Sequence, residues 1–292
     1  MIVIENDWLK VGIENKGAEV RKVEHKKNEL DYMWTGDSAY WGRVSPVLFP
    51  IVGRLKGDQY QINGKTYELP QHGFLRDVEF DVDDHTTEQV SFVFKSAGRF
   101  LDVYPYEFKA TIYYILNEDS LIVRWKIEND SKEEMYFSIG AHPAFRLPLL
   151  ENETIEDYRL EFTPAPNKTV LNYELKDSLI HENGTANDIS SIALTASLFK
   201  NDAVIYSNIS NIILASNKSS HGVEVSFNGF PFVGIWSKYI ETDGTMAPFV
   251  CIEPWYGIAD TYDTSGNMKE KFGVNRLEVG KTFQAEYEMK FK

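Results

Sequence analysis

A single cysteine, Cys251, in 292 residues leaves no partner for an intramolecular disulfide, as expected of a chain kept in a reducing compartment. No apolar run approaches the ~20 residues that span a bilayer. The first seven residues, Met1-Ile2-Val3-Ile4-Glu5-Asn6-Asp7, lack the basic segment and apolar stretch of a signal peptide. Basic side chains are in deficit, 30 Lys and Arg against 44 Asp and Glu, for a net charge of −14. Such a chain repels a phosphate backbone, so nucleic acid and anionic membranes are poor partners. Gly-rich phosphate loops, Gly-x-Ser-x-Gly and Cys-x-x-Cys are absent. The six histidines never fall in His-x-His, His-x-Asp/Glu or His-x-x-x-His spacing, which argues against a metal centre. These absences predict a soluble cytoplasmic protein that uses neither metal nor cofactor.

Apolar residues make up 43% of the chain and aromatics 14%, enough for a large core of aromatic-rich strands. Period-two alternation dominates. At the C-terminus Phe283, Ala285, Tyr287, Met289 and Phe291 alternate with Thr282, Gln284, Glu286, Glu288 and Lys290, the pattern of a half-buried antiparallel strand. Asn63-Gly64 between Tyr60-Gln61-Ile62 and Lys65-Thr66-Tyr67 predicts a hairpin with a type I′ turn. A second hairpin is expected to join residues 108–116 to 121–127, with further strands at Val90-Phe94 and Leu160-Phe162. One helix is expected, capped by Asp188 and carrying Ile189, Ile192, Ala196 and Phe199 on one face. Many short strands and frequent turns predict an all-β fold, one domain over residues 1–292 built as a large antiparallel β-sandwich.

Three segments stand out: Gln71-His72-Gly73-Phe74, Gly140-Ala141-His142-Pro143-Ala144-Phe145 and Cys251-Ile252-Glu253-Pro254-Trp255. Pro143 pushes His142 into extended geometry where a strand leaves its sheet; a buried histidine bonded to backbone is the competing reading. His72 belongs to a loop after the Asn-Gly hairpin, where ligands arrive or where a surface histidine sits. Glu253 ends an apolar strand, and a buried carboxylate there needs a partner; alternation could instead turn it to solvent. Trp255 beside it would form a pocket wall. Arg54 and Arg76 could hydrogen-bond hydroxyls through their planar forks or be ordinary surface arginines. Together the set offers one carboxylate base, one or two imidazole acids and apolar faces for a small polar substrate. His25, His85, His181 and His221 sit in polar, exposed-looking stretches and are given no role.

Residues 46–55, 69–77, 138–145 and 250–260, in that order, resemble the aldose 1-epimerase (galactose mutarotase) family, and most closely its shorter bacterial LacX-type branch. The resemblance implies the galactose mutarotase-like supersandwich and interconversion of α and β anomers of an aldohexose, in a monomer or homodimer. On it, Glu253 is the base at the anomeric O1 hydroxyl and His142 the acid at ring oxygen O5. His72 and Arg54 take substrate-binding, O5-side positions. The family also grips sugar hydroxyls with an Asp from a later strand, but residues 225–236 contain none, which leaves Trp236 to shape that wall. Two alternatives stay open: a hexose 6-phosphate mutarotase, with Arg54 and Arg76 in a phosphate clamp, and a non-catalytic sugar-binding or sensor protein.

Overall fold

The alternating segments pair as strands across almost the whole chain. The tertiary structure, a computed structural model, describes residues 1–181 and 184–292. The strands Phe108–Asn117 and Ser120–Asn129 form a long hairpin in register from Phe108↔Asn129 to Asn117↔Ser120. The C-terminal strand Thr282–Phe291 adds to its far side. These are central members of a nine-stranded antiparallel sheet, which runs in space from Ser191–Ala193 at one edge to Asp81–His85 at the other. A second sheet of eight strands contains Val204–Ser207, Phe232–Trp236, Phe249–Tyr256, Ile139–Ala141 and Val47–Leu48 as spatial neighbours in that order. The N-terminal 31 residues contribute a four-stranded meander. The Asn63-Gly64 turn has both residues at positive φ, 51° and 77°, as a type I′ hairpin requires.

The two large sheets meet through one apolar core that reaches from Ile4 to Phe291. Aromatic rings bridge them: Trp125 lies 5.8 Å from Phe230, Phe230 4.6 Å from Tyr256, and Tyr256 5.1 Å from Phe283. Full burial of a ring such as Phe230 stabilises the sandwich by about 1.5–3 kcal/mol, and the partly buried Tyr256 and Phe283 contribute less. The all-β sandwich expected from the alternation is therefore the observed architecture. No helix among the described residues is long and apolar enough to cross a membrane.

The expected helix after Asp188 does not form. Ser191–Ala193 is an edge strand paired with Tyr158–Pro164 through Leu160↔Ile192, and only Ala196–Phe199 turns, as a short 3-10 segment. The spacing of apolar residues was compatible with a helix, but β-branched Ile192 completes a sheet edge over Leu160, and tertiary pairing wins over a weak local preference. His25 also departs from expectation. As the last residue of Val20–His25 it falls on that strand's inward face, buried between Trp8 and Tyr32.

The strand Phe249–Tyr256 positions the site. Its even-numbered side chains Val250 and Ile252 enter the main core. Its odd-numbered residues Phe249, Cys251, Glu253 and Trp255 face the other side of the sheet, where two smaller apolar clusters form. One holds Trp34, Ala144, Phe249 and Cys251; the other holds Leu48, Val52, Phe232 and Trp255. Glu253 lies between them. The strand is thus buried on both faces, which is why it reads as a continuous apolar run. Glycines on both neighbouring strands make room for Trp255. A Cβ at Gly140 would lie 2.5 Å from its indole Cδ1, and one at Gly234 would overlap the ring.

Candidate active site

Glu253 is 2% exposed and His142 6%. His142 Nε2 and Glu253 Oε2 lie 3.2 Å apart, at the base of a cavity of about 340 Å³. Pro143 carries the chain out of Ile139–Ala141, and its carbonyl accepts from Ile252 N at 3.3 Å, which docks the histidine segment onto the glutamate strand. The His142 ring is held by aromatic contacts on three sides. Trp41 stacks on it at 4.7 Å, while His72 and Trp236 meet it edge-on at 5.6 and 5.8 Å. Its Nδ1 is buried and has no hydrogen-bond partner among the described residues.

Burial governs the electrostatics. It pushes His142 down to about 3, assisted by the positive charges of Arg76 and Arg43. It pushes Glu253 well above the usual carboxylate range, assisted by the negative charge of Asp202 and opposed by the Trp255 indole. Both shifts favour the uncharged pair, carboxylic acid and imidazole, and transfer of that one proton from Glu253 to His142 gives the carboxylate–imidazolium form.

His72, expected in a loop, is there, but it is buried rather than on the surface. Its backbone sits in the left-handed region at φ 65°, and Gly73 follows at 67°, where a Cβ would strike the Phe49 carbonyl. Such backbone strain persists only where surrounding structure enforces it. Gly53 N donates to His72 Nδ1 at 3.1 Å, and His72 N donates back to Gly53 O at 2.9 Å. Nδ1 is therefore an acceptor, and a neutral His72 carries its proton on Nε2. Burial, with His142 and the nearby arginines, pushes its pKa well below the histidine range, so it is neutral at physiological pH.

Arg54 and Arg76 both line the cavity. Arg54 makes a two-pronged bond to Asp58 at 2.9 Å to each oxygen. Arg76 donates to Gln71 O at 2.7 Å and lies 3.9 Å from Asp77. Trp236 and Trp255 also line the cavity. All seven residues singled out from the sequence meet at this one cavity.

Asp202 and Trp41 escaped sequence reasoning. Asp202 lies two residues ahead of the strand Val204–Ser207, which pairs with Phe232–Trp236 beside the glutamate strand, and it lines the cavity. Residues 225–236 lack an Asp and the sequence left open whether another segment replaces it; Asp202, ahead of the neighbouring strand, places a carboxylate at the cavity beside Trp236. An Asp in a turn is too common to flag from sequence. Trp41, in the loop following Met33, carried no motif at all.

His142, Cys251 and Glu253 also place one imidazole, one thiol and one carboxylate within 4.8 Å of one another. Cys251 and Glu253 share a strand face two residues apart, and the histidine comes from a distant segment, so histidine spacing could not reveal this group. A metal there would have to deprotonate the Cys251 thiol, whose pKa burial and the Glu253 charge push well up in its absence. The direct His142–Glu253 contact favours proton transfer as the use of these groups.

The sequence pattern of the aldose 1-epimerase family matches residues 1–271. The chromosomally encoded protein LacX of Lactococcus lactis subsp. lactis is 29% identical over 299 residues, spanning 99% of this chain and 98% of that protein. Among solved structures, a galactose mutarotase related enzyme from Lactobacillus acidophilus superposes with a TM-score of 0.94 at 40% identity, covering 100% of this chain and 97% of that one. A galactose mutarotase-like protein from Lactobacillus casei gives 0.92 at 31% identity, with both chains covered completely. The chain belongs to the aldose 1-epimerase family.

Proposed function

We propose that the protein is a mutarotase for a free aldohexose, with Glu253 and His142 as its proton-transfer pair. The observation that carries this reading is the 3.2 Å contact between the two groups at the base of the pocket. O1 and O5 of a pyranose are bonded to the same carbon, so one acid and one base close to each other can serve both. From the carboxylate–imidazolium form of the pair, Glu253 takes the O1 proton while His142 delivers one to O5. The C1–O5 bond breaks with its electron pair going to O5, and C1–O1 becomes the aldehyde carbonyl. Rotation about C1–C2 and return of both protons closes the ring on the other face. Each proton transfer by a positioned group contributes roughly 10²–10⁴-fold in rate. His72 and Arg54 support the O5 side, while Asp202 accepts from sugar hydroxyls. The indoles of Trp41, Trp236 and Trp255 supply apolar walls.

Charge pairing supports a free sugar over a phosphosugar. Asp58 engages Arg54, and Asp77 engages Arg43 at 3.1 Å as well as approaching Arg76. Arg54 and Arg43 each have a hydrogen-bonded carboxylate, so a phosphate at Arg54 would have to displace Asp58, while Arg76 keeps a buried Nε without a hydrogen-bond partner among the described residues. The test follows anomerisation of α-galactose, α-glucose and α-glucose 6-phosphate by NMR. Greater acceleration of the free hexoses is expected; greater acceleration of the phosphate would move the assignment to phosphosugars. Sugar binding without acceleration of any would leave a sensor.

Asp202→Asn is expected to raise KM about tenfold or more, the loss of charge-assisted hydrogen bonds to substrate. Asp202 also holds the Glu253 pKa up, so the alkaline limb of kcat/KM should move to lower pH in this variant. Unchanged KM and an unmoved limb would remove Asp202 from the site.

A further inference from the structure

Lys271 follows the short turn Met268–Glu270, and its side chain is only 2% exposed. Its Nζ donates to Ile258 O at 2.5 Å and pairs with Asp260 Oδ1 at 3.2 Å; Asp260 is itself 4% exposed at its side chain. Neither residue lines the sugar cavity. A buried ion pair contributes little net stability, because desolvation offsets its attraction. Its placement therefore calls for a role beyond stability.

Asp260 joins three segments. Its second oxygen, Oδ2, accepts from Lys56 N at 3.0 Å, and its own N donates to Arg54 O at 2.9 Å. Its carbonyl accepts from Ile180 N at 2.8 Å, which anchors the hairpin of Leu175–Lys176 and Leu179–Ile180. Arg54, Leu175 and Ser178 on these segments line the cavity, as does the adjacent Ala259. Gly53 packs on Ala259 so closely that a Cβ would lie 2.7 Å from that of Ala259, and Gly53 makes the two hydrogen bonds that hold His72. A continuous set of contacts thus runs from Lys271 through Asp260 and residues 53–56 to His72.

We propose that the buried Asp260–Lys271 pair is a positioning device that holds the sugar-binding wall of Arg54, His72 and Ala259 in place. Neutralisation of the buried Asp260 charge by Lys271 keeps that wall in place, and so sets substrate affinity while leaving the His142–Glu253 proton transfer untouched. The inference rests on the sugar-binding reading of the cavity. Lys271→Met leaves the Asp260 carboxylate buried without its counter-charge, and the segments it ties should shift. KM for the preferred hexose should rise about tenfold or more, with kcat within about threefold of wild type. The double variant Asp260→Asn/Lys271→Met is neutral and keeps an amide oxygen to accept from Lys56 N. It should return KM to within about threefold of wild type.

Thermal melts run beside the kinetics. If the single variant fails to fold, wild type and the double variant carry the test, and a tenfold higher KM in a folded double variant overturns the proposal. A folded Lys271→Met protein with unchanged KM, or with its loss confined to kcat, also overturns it. Calorimetric affinity for the hexose is read on the same proteins. An inactive wild type would defeat the mutarotase reading alone, while an unchanged affinity in folded Lys271→Met would defeat the positioning role alone.

Discussion

Glu253→Gln is expected to lower kcat/KM for mutarotation by roughly 10²–10⁴-fold while the variant still folds and binds the sugar. The amide keeps the shape of the side chain in its slot between the two apolar clusters but cannot take the O1 proton. Folding should not suffer. Burial raises the Glu253 pKa in the folded state, so the folded protein holds this proton more tightly than the unfolded chain. Glu253 consequently costs stability at pH above its unfolded value, in the usual glutamate range, and that cost vanishes below it. The Gln variant should melt at or above the wild-type temperature at pH 7, and the difference should shrink towards pH 4. A variant with wild-type turnover would remove Glu253 as the base. One that melts far below wild type would show that the carboxylate is needed for folding.

His142→Asn is expected to cost a similar factor, about 10²–10⁴-fold, and to combine non-additively with Glu253→Gln, because the two groups act as one unit. Neither half of the pair transfers a proton from O1 to O5 by itself, so the double variant should be little slower than the worse single. Burial lowers the His142 pKa to about 3, so the folded state resists a proton that the unfolded chain accepts near 6.5. Stability from this group is full above 6.5 and falls as pH drops towards 3. The wild type should lose stability over that window more steeply than His142→Asn. In activity, the acid limb of wild-type kcat/KM should lie well below the ordinary histidine value. A limb at 6.5 would mean that His142 titrates as an exposed imidazole, and fully additive single-variant losses would mean that the two groups act separately.

The site was legible where a residue type was out of place for its local pattern. A glutamate inside the apolar run Phe249–Tyr256, with Pro254 and Trp255 beside it, stands out as a carboxylate in need of a partner, although the strand runs on past it. A histidine before Pro143 at the end of a strand signals projection from a sheet. Strands were legible because alternation survives on every half-buried face, as in Thr282–Phe291. What failed were features set by distant pairing. Ile192 reads as helical until Leu160 is placed beside it. His25 reads as polar until the inward face of its strand is known. Asp202 looks like any turn residue until Val204–Ser207 is set next to Phe232–Trp236. Asp260 and Lys271 are 11 residues apart and ordinary in sequence, and only the fold removes both from water.

The central claim is that His142 and Glu253 together catalyse anomer exchange. The most direct measurement is the exchange rate between α and β anomers of galactose and glucose by NMR, with wild-type protein, with Glu253→Gln and without protein. Fast exchange with wild type that returns to near the uncatalysed rate in Glu253→Gln is the predicted result. Exchange with wild type no faster than in buffer, in a sample that demonstrably binds the sugar, would contradict it.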